Sequence, residues 1–365
     1  MAIVTTVLSI SLISGGLALI IVIAEHFLNN YGECSIDINE GDRQLTVTGG
    51  SSLLSTLSGQ KIYLPSACGG KATCGLCKVQ VLDGAGPLLP TEEPYLTPDE
   101  IADNYRLACQ VKIKTNIKIL IPEELFNIRA WNMSVDSITQ LTHDIKGMHL
   151  SLPKGETIKF KAGQYVQFHT KPYGKVKDTV FRAYSIASVP SEQTAIDLIV
   201  RRVPEGLCTT YVHDVLKEGE QATVSGPYGD FYLRGNRSQL IMIAGGSGLA
   251  PIQSIILDVL ERGLDLDMHF FFGAVTRRDL YYLDEFAELD QKHANFHFYP
   301  ALSAPAPEDD WQGEVGLITE VVDRHVTDGE DKEAYLCGSP GMINACLNVL
   351  GKKGISEDLI FYDKF

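Results

Sequence analysis

The sequence predicts a multidomain chain of combined α+β and α/β type: an N-terminal transmembrane helix, a small mixed module around a cysteine loop, an antiparallel β-barrel and a parallel-sheet domain. Three observations predict it. Residues 3–24 carry no charge, and four of the eight cysteines crowd between Cys68 and Cys109. The second half of the chain then passes from short alternating apolar stretches to a rhythm of strand, glycine turn and helix. A length of 365 residues leaves room for two or three separate cores. Asp and Glu outnumber Lys and Arg by 46 to 31, a net charge of −15 that has the wrong sign for neutralising phosphates, so no nucleic-acid partner is expected. Eight cysteines are too few for a disulfide-stapled scaffold in a chain of this size.

The first element, Ile3 to Ala24, is 22 uncharged residues. As a helix it measures roughly 33 Å against a hydrocarbon core of about 30 Å, long enough to span a bilayer. No Lys or Arg precedes it and no small-residue cleavage site follows, which separates it from a secretory signal. The first cation after it is Arg43, so flanking charge does not orient it.

Residues 34–48 hold two alternating stretches, Ser35–Ile38 and Gln44–Val47, around the polar turn Asn39-Glu40-Gly41-Asp42, which predicts a hairpin. Ser51 or Ser52 can cap a short helix bearing Leu53, Leu54 and Leu57. The chain then enters PSACGGKATCGLCKV, where Cys68 is followed after five residues by Cys74, after two by Cys77 and after 31 by Cys109. Three thiolates from one glycine-rich loop and a distant fourth suit a 2Fe-2S cluster. Zinc ribbons present two CxxC knuckles, and here only Cys74 and Cys77 form one. Before Cys109, Thr97-Pro98-Asp99-Glu100 has the cap, first-turn proline and acid of a helix start.

This region resembles the plant-type 2Fe-2S ferredoxins, which implies a beta-grasp fold. Its first cysteine gap is five residues where four is commonest. That departure resembles the ferredoxin module found in the sodium-translocating NADH:quinone reductase family, where it also follows an N-terminal membrane helix.

From Arg129 to Tyr232, alternating stretches such as Phe160–Val166 and Ile196–Val200 are punctuated by Gly and Pro, as an antiparallel barrel requires. Within it Arg182-Ala183-Tyr184-Ser185 supplies a cation, an aromatic face and a hydroxyl. Gly206-Leu207-Cys208-Thr209 can open a helix whose free amides receive a phosphate. With Ser225-Gly226-Pro227-Tyr228-Gly229, these motifs are similar to the FAD-binding barrel of the ferredoxin-NADP reductase superfamily. The resemblance implies that Arg182 and Thr209 hold the FAD pyrophosphate beside the Gly206–Cys208 backbone, that Tyr184 packs on the isoalloxazine, and that Ser185 hydrogen-bonds near its N5. Arg202 is a further cation for the phosphates or an exposed barrel charge.

The apolar strand Gln239–Ala244 leads into Gly245-Gly246-Ser247-Gly248-Leu249-Ala250-Pro251 and a helix, an arrangement that brings backbone and helix start to a dinucleotide pyrophosphate. Met268–Ala274, Leu280–Leu289 and Glu333–Gly338 continue a βαβ rhythm, predicting a parallel sheet. The turn resembles the G-T-G-x-x-P of the same superfamily, with Ser247 for the threonine and Pro251 closing it. Cys337-Gly338-Ser339-Pro340 resembles its C-G-x-P segment, which implies that Cys337 lies beside the nicotinamide, and the resemblance makes the terminal Phe365 a lid over the flavin. Ser303 is followed by Ala304 to Asp310 without an arginine, which favours NADH over NADPH, although Arg277 and Arg278 are near. Cys34, the Cys208 side chain, Cys346, His213 and His269 are read as structural, since none has metal spacing.

Four segments are expected: an anchor at 1–31, a ferredoxin domain at 32–127, an FAD barrel at 128–235 and an NAD domain at 236–365. Ala301-Leu302-Ser303 through Trp311, Gly313 and Gly316 extend the resemblance to the sodium-translocating NADH:quinone reductase family over nearly the whole chain, although the segment from Gln164-Tyr165 to Arg182 is shorter than in that family. It implies a membrane-anchored NADH dehydrogenase of the cell inner membrane, its domains cytoplasmic. Its partners are NADH, the bilayer and the membrane subunits of a respiratory complex. A soluble oxygenase reductase and a membrane-tethered redox sensor are the alternatives.

Overall fold

The computed structural model describes residues 11, 13–18, 31–122, 125 and 128–364. Most of the expected membrane span lies outside them. Residues 11 and 13–18 are helical, with Ile13 and Leu17 exposed, and no helix among the described residues is long and apolar enough to cross a membrane. Phe365 also lies outside the described residues. The chain divides into two compact units, 1–128 and 129–365.

The first unit is a five-stranded mixed sheet. The expected hairpin is present as β1 (Glu33–Ile38) and β2 (Arg43–Thr48), paired from Glu33↔Thr48 to Ile38↔Arg43. Its tight turn places Asn39 and Glu40 at positive φ, conformations a short polar turn can hold. Ser52 caps the helix Leu53–Gly59 by accepting from the Ser55 amide, and Leu53, Leu54 and Leu57 are buried. β3 (Lys78–Asp83), β4 (Tyr105–Leu107) and β5 (Ile117–Leu120) complete the order β2-β1-β5-β3-β4, in which only β1 and β5 run parallel. The Thr97 capping box forms as the sequence predicts, starting the helix Pro98–Ala102.

The second unit joins a barrel to an open sheet. β6 (Arg129–Gln140), β7 (Ile145–Ser151), β8 (Tyr165–His169), β9 (Phe181–Ser185), β10 (Ala195–Arg201) and β11 (Gln221–Tyr228) are antiparallel in the order β10-β7-β6-β11-β8-β9. An Ile186↔Leu198 bridge and the bond from the Ala187 amide to the Asp197 carbonyl bring the two edges together, so the sheet curls into the expected barrel. β12 (Gln239–Gly245), β13 (Asp267–Ala274), β14 (Phe296–Leu302), β15 (Glu314–Val315), β16 (Lys332–Gly338) and β17 (Ile360–Lys364) form a wholly parallel sheet, order β15-β14-β13-β12-β16-β17. Helices cover both faces, which is why β13 can hold three consecutive buried phenylalanines, Phe270, Phe271 and Phe272. Each contributes about 1.5–3 kcal/mol of burial.

Barrel and sheet share a core: Ile145, Ala187 and Ile199 pack in one cluster with Leu249, Ile252 and Ile256 of the helix Leu249–Glu261. The connection between them is fastened by Glu333, wholly buried at the start of β16. Its carboxylate accepts from the amides of Gly235 and Asn236, both at 3.1 Å, and from the Tyr335 hydroxyl at 2.9 Å.

Candidate functional site

The cysteine loop runs from the helix Leu53–Gly59 to β3, and the fourth cysteine follows β4. The four thiols fall into two pairs. Cys74 Sγ lies 3.4 Å from Cys68 Sγ, and Cys77 is hydrogen-bonded to Cys109. Bonding from Cys74 pulls the Cys68 thiol down to about 4, while sharing and burial push Cys74 up. The same exchange lowers Cys109 to about 7 and raises Cys77. Amides converge on the sulfurs too: Lys71 N–H donates to Cys68 Sγ at 3.2 Å. Gly75 has φ +68° and a side chain there would stand 2.9 Å from the Tyr95 ring, so the loop needs glycine at this point. The arrangement fits a two-iron cluster, one thiol pair per metal, with backbone donors around it. A single zinc ion would draw all four sulfurs into one tetrahedron. Among the described residues, the one group of three ligand atoms lying within 4.8 Å of one another is elsewhere.

Behind the loop sits a buried ion pair. Glu92 is fully buried, receives Arg106 Nη2 at 2.6 Å and Nε at 3.0 Å, and accepts from the Leu107 amide at 2.9 Å, two residues before Cys109. Sequence reasoning passed over this pair because nothing local joins positions 92 and 106.

In the barrel, Arg182, Tyr184 and Ser185 lie on β9, all of whose residues are half-buried. The Tyr184 hydroxyl is buried and finds no oxygen or nitrogen partner, its polar neighbour being the Cys208 thiol. Burial drives the phenol well above its ordinary value and the Cys208 thiol up to about 11. Gly206 precedes the turn Leu207–Thr210, whose first amides point away from the helix. Thr209 presents its backbone only: its hydroxyl accepts from Val203 N at 3.2 Å and bonds the carbonyls of Val203 and Gly206, closing the turn on itself. Arg202 is drawn outward into a surface pair with Asp214, Nη1 to Oδ1 2.9 Å. An open strip of guanidinium, aromatic face with an orphaned hydroxyl, serine and helix start fits FAD.

The glycine turn opens at the carboxyl ends of the parallel strands, where open α/β sheets receive ligands. Gly245, Gly246 and Ser247 are half-exposed, whereas Gly248 is buried against β16. A methyl group on Gly248 would meet the Cys337 carbonyl oxygen at 2.2 Å, so glycine lets the helix Leu249–Glu261, with Pro251 in its first turn, start hard against the Cys337–Gly338 backbone. Cys337 itself is wholly buried, and burial pushes its thiol well up.

Two residues were missed in the sequence. Arg201, not Arg202, overhangs the turn: a methyl group on Gly246 would stand 3.4 Å from its Nη1, and Asp144 holds its Nε at 2.8 Å. The two arginines are adjacent, and strand parity at the end of β10 decides between them. Asp363 pairs in register with Cys337 across β16 and β17, and burial lifts its carboxyl to about 6. Only that non-local pairing marks it. Ser303 donates its amide to Ala274 O, and Arg278 is exposed beside Asp279.

Residues 36–114 match the 2Fe-2S iron-sulfur cluster binding domain family, 132–232 the oxidoreductase FAD-binding domain family and 242–348 the oxidoreductase NAD-binding domain family. With the thiol pairs, the barrel strip and the glycine turn, they define an NADH-dependent flavin and iron-sulfur oxidoreductase. Among solved structures, an Amycolatopsis cytochrome P450 reductase is similar at TM-score 0.71 and 28% identity, covering 91% of this chain and 98% of that one. The ferredoxin reductase in carbazole 1,9a-dioxygenase is similar at TM-score 0.69 and 26% identity, covering 92% and 98%. The F subunit of the Na(+)-translocating NADH-quinone reductase of Psychrobacter cryohalolentis is 36% identical over a 397-residue alignment covering 97% of this chain and 96% of the relative. Its counterpart in Neisseria meningitidis is 35% identical, covering 96% of each. The chain belongs to the family of Na(+)-translocating NADH-quinone reductase F subunits. An alignment longer than the chain's own 365 residues means that the relative carries residues this chain lacks.

Proposed function

We propose that this chain is the electron-input subunit of a sodium-translocating type of NADH:quinone reductase. In this reading residues 3–24 anchor it in the cell inner membrane, residues 25–365 face the cytoplasm, and electrons leave to membrane subunits of the complex. The carrying observation is the conjunction in one chain of two thiol pairs with a flavin barrel and a glycine turn. FAD held in the barrel would supply the chemistry that takes hydride from NADH and releases electrons singly to a 2Fe-2S cluster.

The chain's own groups bind and orient. Arg182 and the amides at Gly206–Thr209 hold the flavin pyrophosphate, Tyr184 supports the ring and Ser185 reaches its edge. Gly245, Gly246, Ser247 and Gly248 receive the dinucleotide of NADH at a helix start. Cys337 and Gly338 would fix the nicotinamide by shape. Cys68, Cys74, Cys77 and Cys109 hold the cluster. Sodium movement belongs to partner subunits, because an apolar segment without ionisable residues offers no ion path.

Adding NADH to the full-length protein in detergent should bleach the flavin absorbance and raise the EPR signal of a reduced two-iron cluster. A cluster that stays oxidised would overturn the electron path. Tyr184→Ala should weaken FAD retention, measured by flavin released on gel filtration. The likeness to a dioxygenase ferredoxin reductase favours a second reading, a soluble oxygenase reductase. Recovery of the native chain with oxygenase components, and not with membrane subunits, would select it.

A further inference from the structure

At the end of the parallel sheet remote from the glycine turn, three metal-ligand side chains meet on one face. Asp267 and His269 are two residues apart in β13 and so leave the strand on the same side. His297 is the residue paired with His269 in β14. Asp267 Oδ2 lies 3.2 Å from His269 Nε2, and Asp267 Oδ1 lies 3.2 Å from His297 Nε2. The three ligand atoms all fall within 4.8 Å of one another. The imidazole rings are 4.9 Å apart and inclined by 34°. Side-chain exposures of 36%, 23% and 39% for Asp267, His269 and His297 leave the cluster open to solvent ions.

The geometry is close to that of a coordination shell. With zinc bonds of about 2.0–2.1 Å, the ligand atoms of a tetrahedral site stand roughly 3.3 Å apart. Each imidazole nitrogen already stands at nearly that distance from one carboxylate oxygen, Oδ2 for His269 and Oδ1 for His297. The tautomer is prepared as well. Tyr299 Oη lies 3.2 Å from His269 Nδ1, with the two rings stacked at an interplanar angle of 6°. When Nδ1–H donates to that oxygen, Nε2 keeps its lone pair towards Asp267 and His297. Lys332, a cation whose charge acts on His269, is occupied by Asp328 at 2.8 Å. Two imidazoles and one carboxylate suit a borderline transition cation and not Mg2+ or Ca2+, which take oxygen shells.

We propose that Asp267, His269 and His297 form a Zn2+ site that clamps β13 to β14, with water completing the shell. It is separate from the cluster thiols and from the nucleotide-binding turn, and it does not depend on which acceptor takes the electrons.

The test uses the intact protein with its cluster and FAD in place, titrated with ZnCl2 against a chromophoric zinc chelator. The wild type should bind one zinc that His269→Gln and His297→Gln each lose, with iron and flavin contents unchanged. Tyr299→Phe should keep the stoichiometry and weaken affinity about tenfold, as loss of an orienting hydrogen bond does. On the unmutated chain, zinc should protect His269 and His297, and not the other histidines, from diethylpyrocarbonate, read by mass spectrometry. Equal zinc binding by wild type and variants overturns the site, as does labelling of the two histidines that zinc leaves unchanged.

Discussion

The cysteine loop and the glycine turn are the two candidate cofactor cradles, and they are held by different means. The loop between the helix Leu53–Gly59 and β3 contains no regular element; side chains frame it, four thiols inside and the Glu92–Arg106 pair behind, with Gly75 supplying one turn that requires glycine. The turn at 245–248 rests on missing side chains, with Gly248 set directly against the Cys337 carbonyl. The first lies within residues 1–128, so removing a ligand there is expected to leave the fold of residues 129–365 unchanged. The second cannot accept a methyl group at Gly248 without moving a helix.

The largest effect should come from Cys74→Ala. Removing one ligand should abolish the cluster's EPR signal and visible absorbance, while NADH still bleaches the flavin at an unchanged rate. Loss of both in a folded protein would break the contrast between the two regions. Next, Glu92→Ala strands a guanidinium that is 7% exposed, at a cost of about 3–5 kcal/mol. Chemical unfolding followed by cluster absorbance should shift by that amount, with the flavin transition unmoved. Gly248→Ala forces an overpacked contact of about 1–3 kcal/mol. NADH-dependent flavin reduction should slow strongly while dithionite still reduces the cluster.

The last effect is a pH dependence, which vanishes at neutral pH. His169, buried in β8 and 2.9 Å from Ser225 Oγ, has its imidazole lowered from 6.5 to about 4 by burial. The folded state therefore keeps it neutral. Its stabilisation is whole above pH 6.5 and is lost as pH falls towards 4, on the order of 3 kcal/mol in all. A melting-temperature series across that window should flatten in His169→Gln for the 129–365 unit alone, and an equal slope in the variant would discard the assignment.

Local signals were legible and long-range ones were not. The hairpin around Asn39–Asp42, the Ser52 cap and the Thr97 capping box are written in neighbouring residues and appear where expected. The four cysteines were legible because cluster chemistry fixes their spacing. Arg201 was hidden by its neighbour Arg202, since one residue of strand phase decides which faces the glycine turn. The Thr209 hydroxyl looked available, yet its own turn consumes it. Asp363 and the Asp267–His269–His297 cluster arise from pairing between strands far apart in sequence, which no window of adjacent residues contains.

The Glu333 clasp has a kinetic consequence. Swinging barrel against sheet about residues 234–236 would strip two amide bonds from a carboxylate that no water reaches. The clasp is therefore expected to slow any hinge motion between barrel and sheet. The amide protons of Gly235 and Asn236 should consequently exchange with deuterium as slowly as those of the central strands.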